Sequence, residues 1–351
     1  MIKFTTGNLL TTDVEALVNT VNCVGVMGKG IALQFKQAYP ENYRLYKKAC
    51  DAGDVQPGQM FIIPTGQMLN PRYIINFPTK RHWRNPSRLE DIESGLAALV
   101  EDVQALGIQS IAIPPLGAGS GGLDWGDVRP LIENTFKEMP DVEVLIYEPH
   151  GAPAVSTMLV ATKKPRMTIG RALFIRLIEL YRTQGYRLSM LEIQKLAYFL
   201  QETGLDLKLD FQKHKYGPYS ETIHHVLQRM EGHFIRGYGD RSQRAEIHLI
   251  PEAVQEAYDF LAEEPEANGY LERVARLIEG FETPYGMELL ATVHWVMIEN
   301  PESINNPETV IARTQNWSRR KQQKFSPVQI KRAWSRLVEQ NWLQTSSLMF
   351  A

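Results

Sequence analysis

Short apolar runs alternate with helical patterns through the first half of the chain. Buried strands are predicted at residues 2–4, 16–19, 60–64, 73–77, 110–114 and 142–147. Segments whose apolar residues recur every three or four positions indicate amphipathic helices. These helices are predicted at residues 30–39, 41–52, 88–106 and 127–138, several of them starting after proline or aspartate. Strands and helices in alternation predict a three-layer α/β/α sandwich built on a mixed sheet.

The pattern changes after residue 150. A short stretch punctuated by proline follows, and beyond it strand patterns are scarce and helical patterns dominate. We therefore predict a first domain at residues 1–155, a linker at 156–166 and a second, mainly helical domain at 167–351. One of its helices starts after Ser189, which forms a capping box with Glu192. Further helices are predicted at residues 168–182, 220–230, 251–262, 270–280, 286–299, 307–314 and 327–340.

Composition narrows the classes of function. A chain of 351 residues is long enough for two domains, each with its own core. The formal net charge of -2 is not a signature of nucleic-acid binding, so any contact with DNA must come from local patches. The two cysteines, Cys23 and Cys50, suit a reducing compartment, and neither a signal peptide nor a membrane-spanning run is visible. We expect a soluble cytoplasmic protein.

Two glycine-rich segments each follow a predicted strand and precede a predicted helix. The first glycine loop is residues 23–30 and the second glycine loop is residues 115–123. Glycine lets the backbone approach a phosphate closely, and the N–H groups of a first helical turn face the anion. Each loop alone also fits a plain turn, whereas the two together suit a pyrophosphate. Neither is a Walker A or a GxGxxG sequence, which disfavours an NTPase and a dehydrogenase.

These loops give residues 1–150 a resemblance to macrodomains, the fold that binds ADP-ribose. Val18, Asn19 and Asn22 match the asparagine motif of that family, and the second glycine loop matches its diphosphate loop. The likeness is to the branch of terminal ADP-ribose glycohydrolases, and the whole chain resembles the DarG family of antitoxins. The resemblance implies an ADP-ribose site formed by Asn8, Leu9, Asn19, Asn22, Gly28, Lys29, Gly30, Ile31, Pro115, Leu116, Gly117, Ala118, Gly119, Ser120, Gly121, Gly122, Leu123 and Tyr147.

Asn22 stands at the exit of the second predicted strand. Its amide offers both a donor and an acceptor, which suits the hydroxyl pair of a ribose. The resemblance implies that this asparagine contacts the distal ribose of the ligand. The alternative is an asparagine that only caps its own loop.

Lys80 follows the predicted strand at 73–77, in a short loop at the same edge of the sheet. It matches the lysine that the glycohydrolase branch uses in catalysis, so the resemblance implies a catalytic role. A lysine partly removed from water can lose its proton near neutral pH and then serve as nucleophile or base. The alternative is an ordinary solvated lysine, since Arg81, His82 and Arg84 make this stretch a basic loop.

Two positions depart from the family pattern. Protein-directed members of the branch carry a catalytic aspartate in the second glycine loop, where this chain has Gly121. Asp124 is the expected cap of the next helix and a weak second candidate for that role. Macrodomains commonly place an aspartate against adenine, where this chain has Asn8, whose amide oxygen still accepts a hydrogen bond. Tyr147 is expected either to stack on the adenine or to belong to the core.

The second half of the chain has two features of its own. The motif at residues 214–220 and the helix before it resemble the Panacea-type domains found in many antitoxins. Further on, the basic segment, residues 313–334, contains seven lysines and arginines together with Trp317 and Trp334. Its cations are expected either to meet DNA phosphates, with tryptophan stacking on bases, or to form a solvated helix face.

The leading hypothesis is an enzyme that is also an antitoxin. The resemblance implies that the first domain removes ADP-ribose from a thymidine in single-stranded DNA, a form of DNA repair. It also implies that the second domain grips the partner toxin, a DNA ADP-ribosyltransferase. The alternative is a reader that binds ADP-ribose without turnover and whose second domain binds DNA or protein. We expect no cofactor and no metal, because no group of His, Cys and Asp has ligand spacing.

Overall fold

The computed structural model describes residues 1–149, 158–181, 188–238 and 247–343. This part of the chain divides into two compact units, the first ending at Lys164 and the second beginning at Pro165. The division lies within the stretch where the linker is predicted, of which residues 156 and 157 lie outside the described residues. The predicted boundaries of the two domains stay predictions.

The first unit is an α/β sandwich. Its strands are β1 (Ile2–Thr5), β2 (Ala16–Asn22), β3 (Phe61–Pro64), β4 (Tyr73–Lys80), β5 (Ser110–Ile113) and β6 (Glu143–Tyr147). Its helices are α1 (Gly30–Ala38), α2 (Pro40–Ala52), α3 (Leu89–Ala105) and α4 (Trp125–Phe136), with a 3-10 helix at Leu9–Thr11. The sheet order is β1-β6-β5-β2-β4-β3, and only β3 runs antiparallel to its neighbour. The predicted mixed sheet is confirmed.

Alternate residues of β2 pack into different layers of the sandwich. Val18 belongs to a core cluster with Leu96 of α3 and Ile132 of α4. Leu17 belongs to a second cluster, with Phe35 of α1. Because helices cover both faces, both sets of β2 side chains are buried, which explains why the strand is apolar at nearly every position.

Five parallel strands end at the same edge of this sheet. They are β1, β6, β5, β2 and β4, which are neighbours in that order. The first glycine loop follows β2 and the second follows β5, so both loops lie at this edge. In open α/β sheets, ligands bind outside the carboxyl ends of the strands. The fold therefore places both predicted phosphate loops where such a site forms.

The second unit is mainly helical, as predicted. Its helices are α5 (Ile169–Tyr181), α6 (Met190–Glu202), α7 (Thr222–Met230), α8 (Pro251–Ala262), α9 (Ala267–Ile278), α10 (Pro284–Glu299), α11 (Pro307–Gln315), α12 (Arg319–Lys324) and α13 (Pro327–Glu339). Two short sheets pair β7 (Gln212–His214) with β8 (Gly217–Tyr219) and β9 (Ile235–Arg236) with β10 (His248–Leu249). The sequence pattern predicts neither α12 nor these strands, because each is too short to show a period.

The predicted capping box starts α6: the Ser189 backbone N–H donates to the Glu192 carboxylate at 2.8 Å. Near the end of the helix, Gly204 has a φ of 101°, a left-handed conformation that favours glycine. Of the helices in the described ranges, none is long and apolar enough to cross a membrane.

A buried carboxylate joins two helices of the second unit. Glu288 of α10 is fully buried and accepts hydrogen bonds from Arg320 at 2.5 Å, Lys321 at 2.9 Å and Lys324 at 2.7 Å. Lys321 is fully buried as well and also donates to Thr292 at 2.8 Å. Because all three cations lie on α12, this Glu288 cluster fastens α12 to α10.

The Glu288 cluster corrects both interpretations of the basic segment for three of its seven cations. Arg320, Lys321 and Lys324 bind a buried carboxylate, so they serve neither DNA phosphates nor a solvated helix face. The other four cations are exposed, which fits a solvated face, and their contact with DNA stays a prediction. Its two tryptophans are also engaged within the fold. The indole N–H of Trp317 donates to the carbonyl of His214 at 3.1 Å, and that of Trp334 donates to the carbonyl of Ile304 at 2.8 Å. Compositional charge runs miss such a cluster because the acid lies far away in sequence.

Glu288→Gln is expected to destabilise the second unit by about 3–5 kcal/mol, since it leaves three clustered cations without their carboxylate. Chemical denaturation of the full chain, followed by circular dichroism, measures the change. Glu302→Gln is the matched control, because Glu302 makes only an exposed ion pair with Arg313 at 3.1 Å. That control is expected to cost at most about 1 kcal/mol. Equal unfolding free energies for the two variants would contradict the structural role of the cluster.

The same cluster predicts a pH dependence of stability. Burial raises the pKa of Glu288, but the hydrogen bonds from Arg320 and Lys324 and the charge of Lys321 outweigh burial and bring the pKa to about 2, below the ordinary 4.5. A carboxylate with a lowered folded pKa stabilises the fold above its ordinary pKa and loses that contribution as pH falls through the folded value. We therefore expect acid to erase the stability gap between the parent chain and Glu288→Gln.

Candidate functional site

Lys80 lies beside Asn22 at the edge where the parallel strands end. The two residues are register partners on the neighbouring strands β4 and β2. The sequence predicted a loop position for Lys80, and this is wrong: pairing with β2 continues to Asn22, so Lys80 is the last residue of β4. Its ammonium makes a short hydrogen bond to the carbonyl oxygen of Ser120, in the second glycine loop. The predicted catalytic residue therefore contacts the predicted diphosphate loop directly.

Partial burial lowers the pKa of Lys80. Its side chain is half-buried where it reaches the second glycine loop, and this burial lowers the pKa of Lys80 below that of an exposed lysine. A lower pKa raises the fraction of neutral amine at a given pH, and the neutral amine is the form that acts as nucleophile or base. The alternative of a fully solvated lysine does not describe this side chain.

The second glycine loop is folded by its own backbone. Gly122 donates to the carbonyl of Gly119 at 3.2 Å, and Leu123 donates to the carbonyl of Gly117 at 3.1 Å. Gly117 and Gly122 have φ values of 67° and 80°, a left-handed conformation that favours glycine. Gly119 and Ser120 are exposed at the tip of the loop. The loop thus presents a tip of exposed backbone at the edge where an anion is predicted to bind.

The structure explains why this loop has no aspartate at position 121. A Cβ atom on Gly121 would lie 2.2 Å from the carbonyl oxygen of Gly117 and 2.3 Å from the hydroxyl oxygen of Ser87, so no side chain fits there. Asp124 caps α4, as expected, and its carboxylate accepts from the backbone N–H of Gly126 at 2.7 Å. Position 121 therefore has no carboxylate, and the carboxylate of Asp124 is engaged in capping α4.

Asn22 organises the first glycine loop. Its side-chain oxygen accepts from the backbone N–H groups of Val24 at 3.0 Å and Val26 at 3.3 Å, and its amide nitrogen donates to the carbonyl of Val26 at 2.6 Å. The loop-capping alternative therefore describes its bonds in this structure. An amide nitrogen carries two N–H groups, and the bond to Val26 uses one of them. Contact with a ribose through the other stays a prediction.

Helix α1 begins directly after the first glycine loop. Lys29 is its N-cap residue and is exposed, and in the described chain its side chain does not cap the helix. The helix starts at Gly30, whose φ is 53°, and Ile31 and Gly28 are partly exposed beside it. First-turn N–H groups attract anions. The N-terminus of α1 is therefore suited to binding the diphosphate. The predicted ligand contacts of Gly28, Lys29, Gly30 and Ile31 depend on the diphosphate lying there.

Other predicted contact residues have buried side chains. Leu9 and Leu116 belong to the hydrophobic core, at 4% and 0% exposure, so their side chains are not available to a ligand and their predicted contacts would be made by the backbone. Asn19 is fully buried and donates to Asn76 at 2.9 Å, which also exchanges hydrogen bonds with Asn42. The sequence analysis missed this amide network. A single asparagine inside the apolar strand β4 was the signal for it.

The predicted adenine contacts lie at the end of β1 and β6. Asn8 caps the 3-10 helix, and its side-chain oxygen accepts from the backbone N–H of Leu10 at 3.0 Å. The Tyr147 ring is 9% exposed and packs in the core cluster of Leu17, with a short hydrogen bond between its hydroxyl and that of Thr12. The core alternative thus describes the ring. Stacking on adenine stays a prediction.

The remaining chemistry is limited by the side chains present. Within the described ranges, no group of three His, Cys, Asp or Glu residues is placed to hold a metal ion. Ser87 adds a feature that sequence analysis missed. Its hydroxyl is buried against the second glycine loop and has no hydrogen-bond partner among the described residues, and its backbone N–H donates to the carbonyl of Gly121 at 2.9 Å. The loop after Lys80 is therefore part of this edge.

Comparison with known proteins shows which family the chain is similar to. Residues 18–132 match the Macro domain family. A Thermus aquaticus protein named DNA ADP-ribosyl glycohydrolase is 52% identical over 321 residues, which are 92% of this chain and 89% of the relative. A Thermosipho africanus protein, a DNA ADP-ribosyl transferase-DNA ADP-ribosyl glycohydrolase fusion, is 35% identical over 158 residues, 41% of this chain and 40% of the relative. The solved macrodomain of Mycobacterium tuberculosis DarG is 56% identical, covering 42% of this chain and 98% of that chain, with a TM-score of 0.42.

Gly119→Glu is expected to abolish binding of ADP-ribose, because it adds a negative charge at the exposed tip where the diphosphate is predicted. A Cβ atom at Gly119 meets nothing within 4 Å, so the loop itself tolerates the change. Gly119→Ala is the matched control and should bind within about twofold of the parent chain. Isothermal titration calorimetry with ADP-ribose measures both. Tight binding by Gly119→Glu would show that the second glycine loop is only a turn.

Proposed function

Because the chain belongs to the family of DNA ADP-ribosyl glycohydrolases, we propose that its first unit releases ADP-ribose from a thymidine adduct in single-stranded DNA. Family membership confirms the prediction of a hydrolase and sets aside the non-catalytic reader. We place the reaction in the cytoplasm, which suits the two free thiols. The observation that carries the proposal is the position of Lys80, half-buried at a strand end and bonded to the second glycine loop.

The geometry gives Lys80 two chemical routes. In the first, its neutral amine bonds to C1″ of the ribose as the bond from C1″ to the base nitrogen breaks, and the amine proton passes to the base. Water then replaces the lysine at C1″ and restores the free amine. In the second, Lys80 takes a proton from water, the hydroxide bonds to C1″, and the ammonium returns the proton to the departing base. Both routes require a deprotonated Lys80.

The second glycine loop sets the position of the ligand relative to Lys80. The bond from Lys80 to the Ser120 carbonyl holds the amine against the loop that is proposed to grip the diphosphate. Placement of a reacting group by binding energy from a remote part of the substrate is a general source of rate. Because no side chain fits at Gly121, Lys80 alone carries the proton transfers.

Lys80→Ala is expected to slow release of ADP-ribose from an ADP-ribosylated oligonucleotide by about 10²–10⁴-fold or more. Its affinity for ADP-ribose should stay within about threefold of the parent chain, because the glycine loops supply most of the binding. Lys80→Arg keeps the charge but cannot act as a neutral amine, so it should be equally slow. Chromatography of the released ADP-ribose measures the rate. Full hydrolysis by either variant would remove Lys80 from the mechanism.

The lowered pKa of Lys80 predicts the pH profile of the parent chain. Release should accelerate as pH rises and level off at a pH below the ordinary pKa of lysine, because burial lowers the pKa of this amine. Measuring kcat/KM over a range of pH values locates the pH at which the profile levels off. A profile that still climbs at pH values above about 10.4, where exposed lysines titrate, would contradict a buried Lys80 as the reacting base.

We further propose that the second unit binds the partner toxin, a DNA ADP-ribosyltransferase. The Thermosipho africanus relative joins a transferase and a glycohydrolase in one chain by name, which supports a functional pairing of the two activities. The first unit already contains every residue assigned to hydrolysis, so the separate helical unit is available for binding a partner protein. The β7-β8 hairpin of the second unit presents an exposed tyrosine, Tyr216, with the guanidinium carbon of Arg320 at 4.6 Å from its ring centroid. Tyrosine and arginine are both enriched at protein interfaces.

Two fragments test the division of labour. Residues 1–155 should hydrolyse the DNA adduct, whereas residues 166–351 should retain the cognate transferase in a pull-down and slow its reaction without releasing ADP-ribose. The full chain with Lys80→Ala is the control and should retain the transferase as well as the parent chain does. Retention by the first fragment alone would refute the proposal. Strong, salt-dependent binding of DNA by residues 166–351 would favour a role in holding DNA.

A further inference from the structure

The loop that follows Lys80 is basic and aromatic. Residues 81–88 contain three arginines, one histidine and one tryptophan, and no acidic residue, although the whole chain has a formal net charge of -2. Trp83 is 37% exposed, although tryptophan side chains are highly buried on average. Its Cα lies within about 11 Å of the Cα of Lys80, because the two residues are only three positions apart in the chain. The loop therefore borders the proposed reaction centre.

Three planar groups of this loop are stacked. The rings of His82 and Trp83 have centroids 5.5 Å apart and planes inclined by 27°. The guanidinium carbon of Arg84 lies 4.5 Å from the centroid of the Trp83 ring. A flat aromatic surface beside a cation is the combination on which single-stranded nucleic acids stack their bases and place their phosphates. We call His82, Trp83 and Arg84 the stacked triad.

The stacked triad is held in place from both ends of its loop. Arg81 forms a salt bridge with the buried Asp91 of α3 at 3.0 Å. Within the triad, His82 accepts through Nδ1 from the backbone N–H of Arg84 at 3.2 Å. At the far end, the backbone N–H of Ser87 donates to the carbonyl of Gly121 at 2.9 Å. A loop anchored in this way loses little entropy when a ligand binds, which favours recognition.

We propose that the stacked triad binds a base of the single-stranded DNA next to the modified nucleotide, so that it selects DNA-linked ADP-ribose over the free ligand. The inference rests on the proposed function and adds the residues that recognise the carrier. The Arg84 guanidinium complements phosphate in charge, and the triad follows Lys80 by two to four positions in the chain, so it borders the proposed reaction centre. In single-stranded DNA, the modified thymidine has neighbouring bases that can stack on the stacked triad, whereas free ADP-ribose has no neighbouring DNA base.

Kinetics of the full chain on two substrates test this. One is an oligonucleotide of about ten nucleotides with one ADP-ribosylated thymidine, within the site sizes of stacking proteins. The other is ADP-ribosylated thymidine monophosphate, which has no neighbouring base. Trp83→Ala should raise KM for the oligonucleotide about tenfold without changing kcat. Its kinetics on the mononucleotide and its affinity for ADP-ribose should stay within about twofold of the parent chain.

Tyr258→Ala is the matched control. Tyr258 is 45% exposed and has the guanidinium carbon of Arg176 at 3.4 Å from its ring centroid, but it lies on α8 of the second unit, which contains none of the residues assigned to hydrolysis. It should leave KM for both substrates unchanged. Arg84→Gln should lower the salt dependence of KM for the oligonucleotide, because it removes a phosphate contact. These results together would support binding of a neighbouring DNA base by the stacked triad.

Other outcomes overturn the inference. An unchanged KM for the oligonucleotide in Trp83→Ala would do so, as would an equal loss on both substrates, which indicates damage to the reaction centre. Intact oligonucleotide kinetics with lost retention of the transferase would assign the triad to a protein partner instead. If the parent chain releases no ADP-ribose from either substrate, the proposed function fails by itself. Fluorescence anisotropy with unmodified single-stranded DNA then still tests the triad, since Trp83→Ala should weaken that binding about tenfold.

Discussion

The parallel pairing of β2 with β4 is the contact on which the candidate site depends. It sets Asn22 beside Lys80, although 58 positions separate them in the chain. Because β5 lies on the other side of β2, the second glycine loop must pass over the end of β2 to meet Lys80, and the bond to Ser120 completes that path. Changes in the register of these strands would separate the amine from both glycine loops.

Close packing at this edge also limits its chemistry. The second glycine loop folds back so tightly at Gly121 that a side chain there would collide with Gly117 and Ser87. The resemblance implies an aspartate in this place for members of the branch that act on proteins, whereas this chain has no room for one. A single half-buried lysine then carries the proposed proton transfers, and the basic loop next to it becomes available for recognising the carrier of the ADP-ribose. Loss of a carboxylate also makes this edge less repulsive toward DNA phosphates.

The second unit follows a different principle, in which charge is used inside the fold. Glu288 binds three cations from α12, and the indole N–H groups of Trp317 and Trp334 donate to backbone carbonyls, so less than half of the basic segment's cation and tryptophan set is engaged by nothing but solvent. The exposed aromatic and basic side chains of the β7-β8 hairpin, such as Tyr216, are a more suitable surface for a partner. The two units thus expose aromatic and cationic groups in different settings, one beside a reaction centre and one on a helical scaffold.

The sequence by itself determined the elements and the two glycine loops, because apolar periodicity and glycine positions are local signals. It predicted six strands and four helices of the first unit, and the macrodomain resemblance identified Lys80 and Asn22. Only the tertiary structure decided what these side chains contact: that Asn22 caps its loop, that Asn19 joins Asn42 and Asn76 in a buried network, and that Tyr147 packs in the core. It also decided that Gly121 has no room and that the basic segment surrounds a buried acid. Apart from the Asn22 cap, whose partners Val24 and Val26 are close in the chain, each of these depends on a partner far away in the chain, and contacts between distant residues leave no period in the sequence.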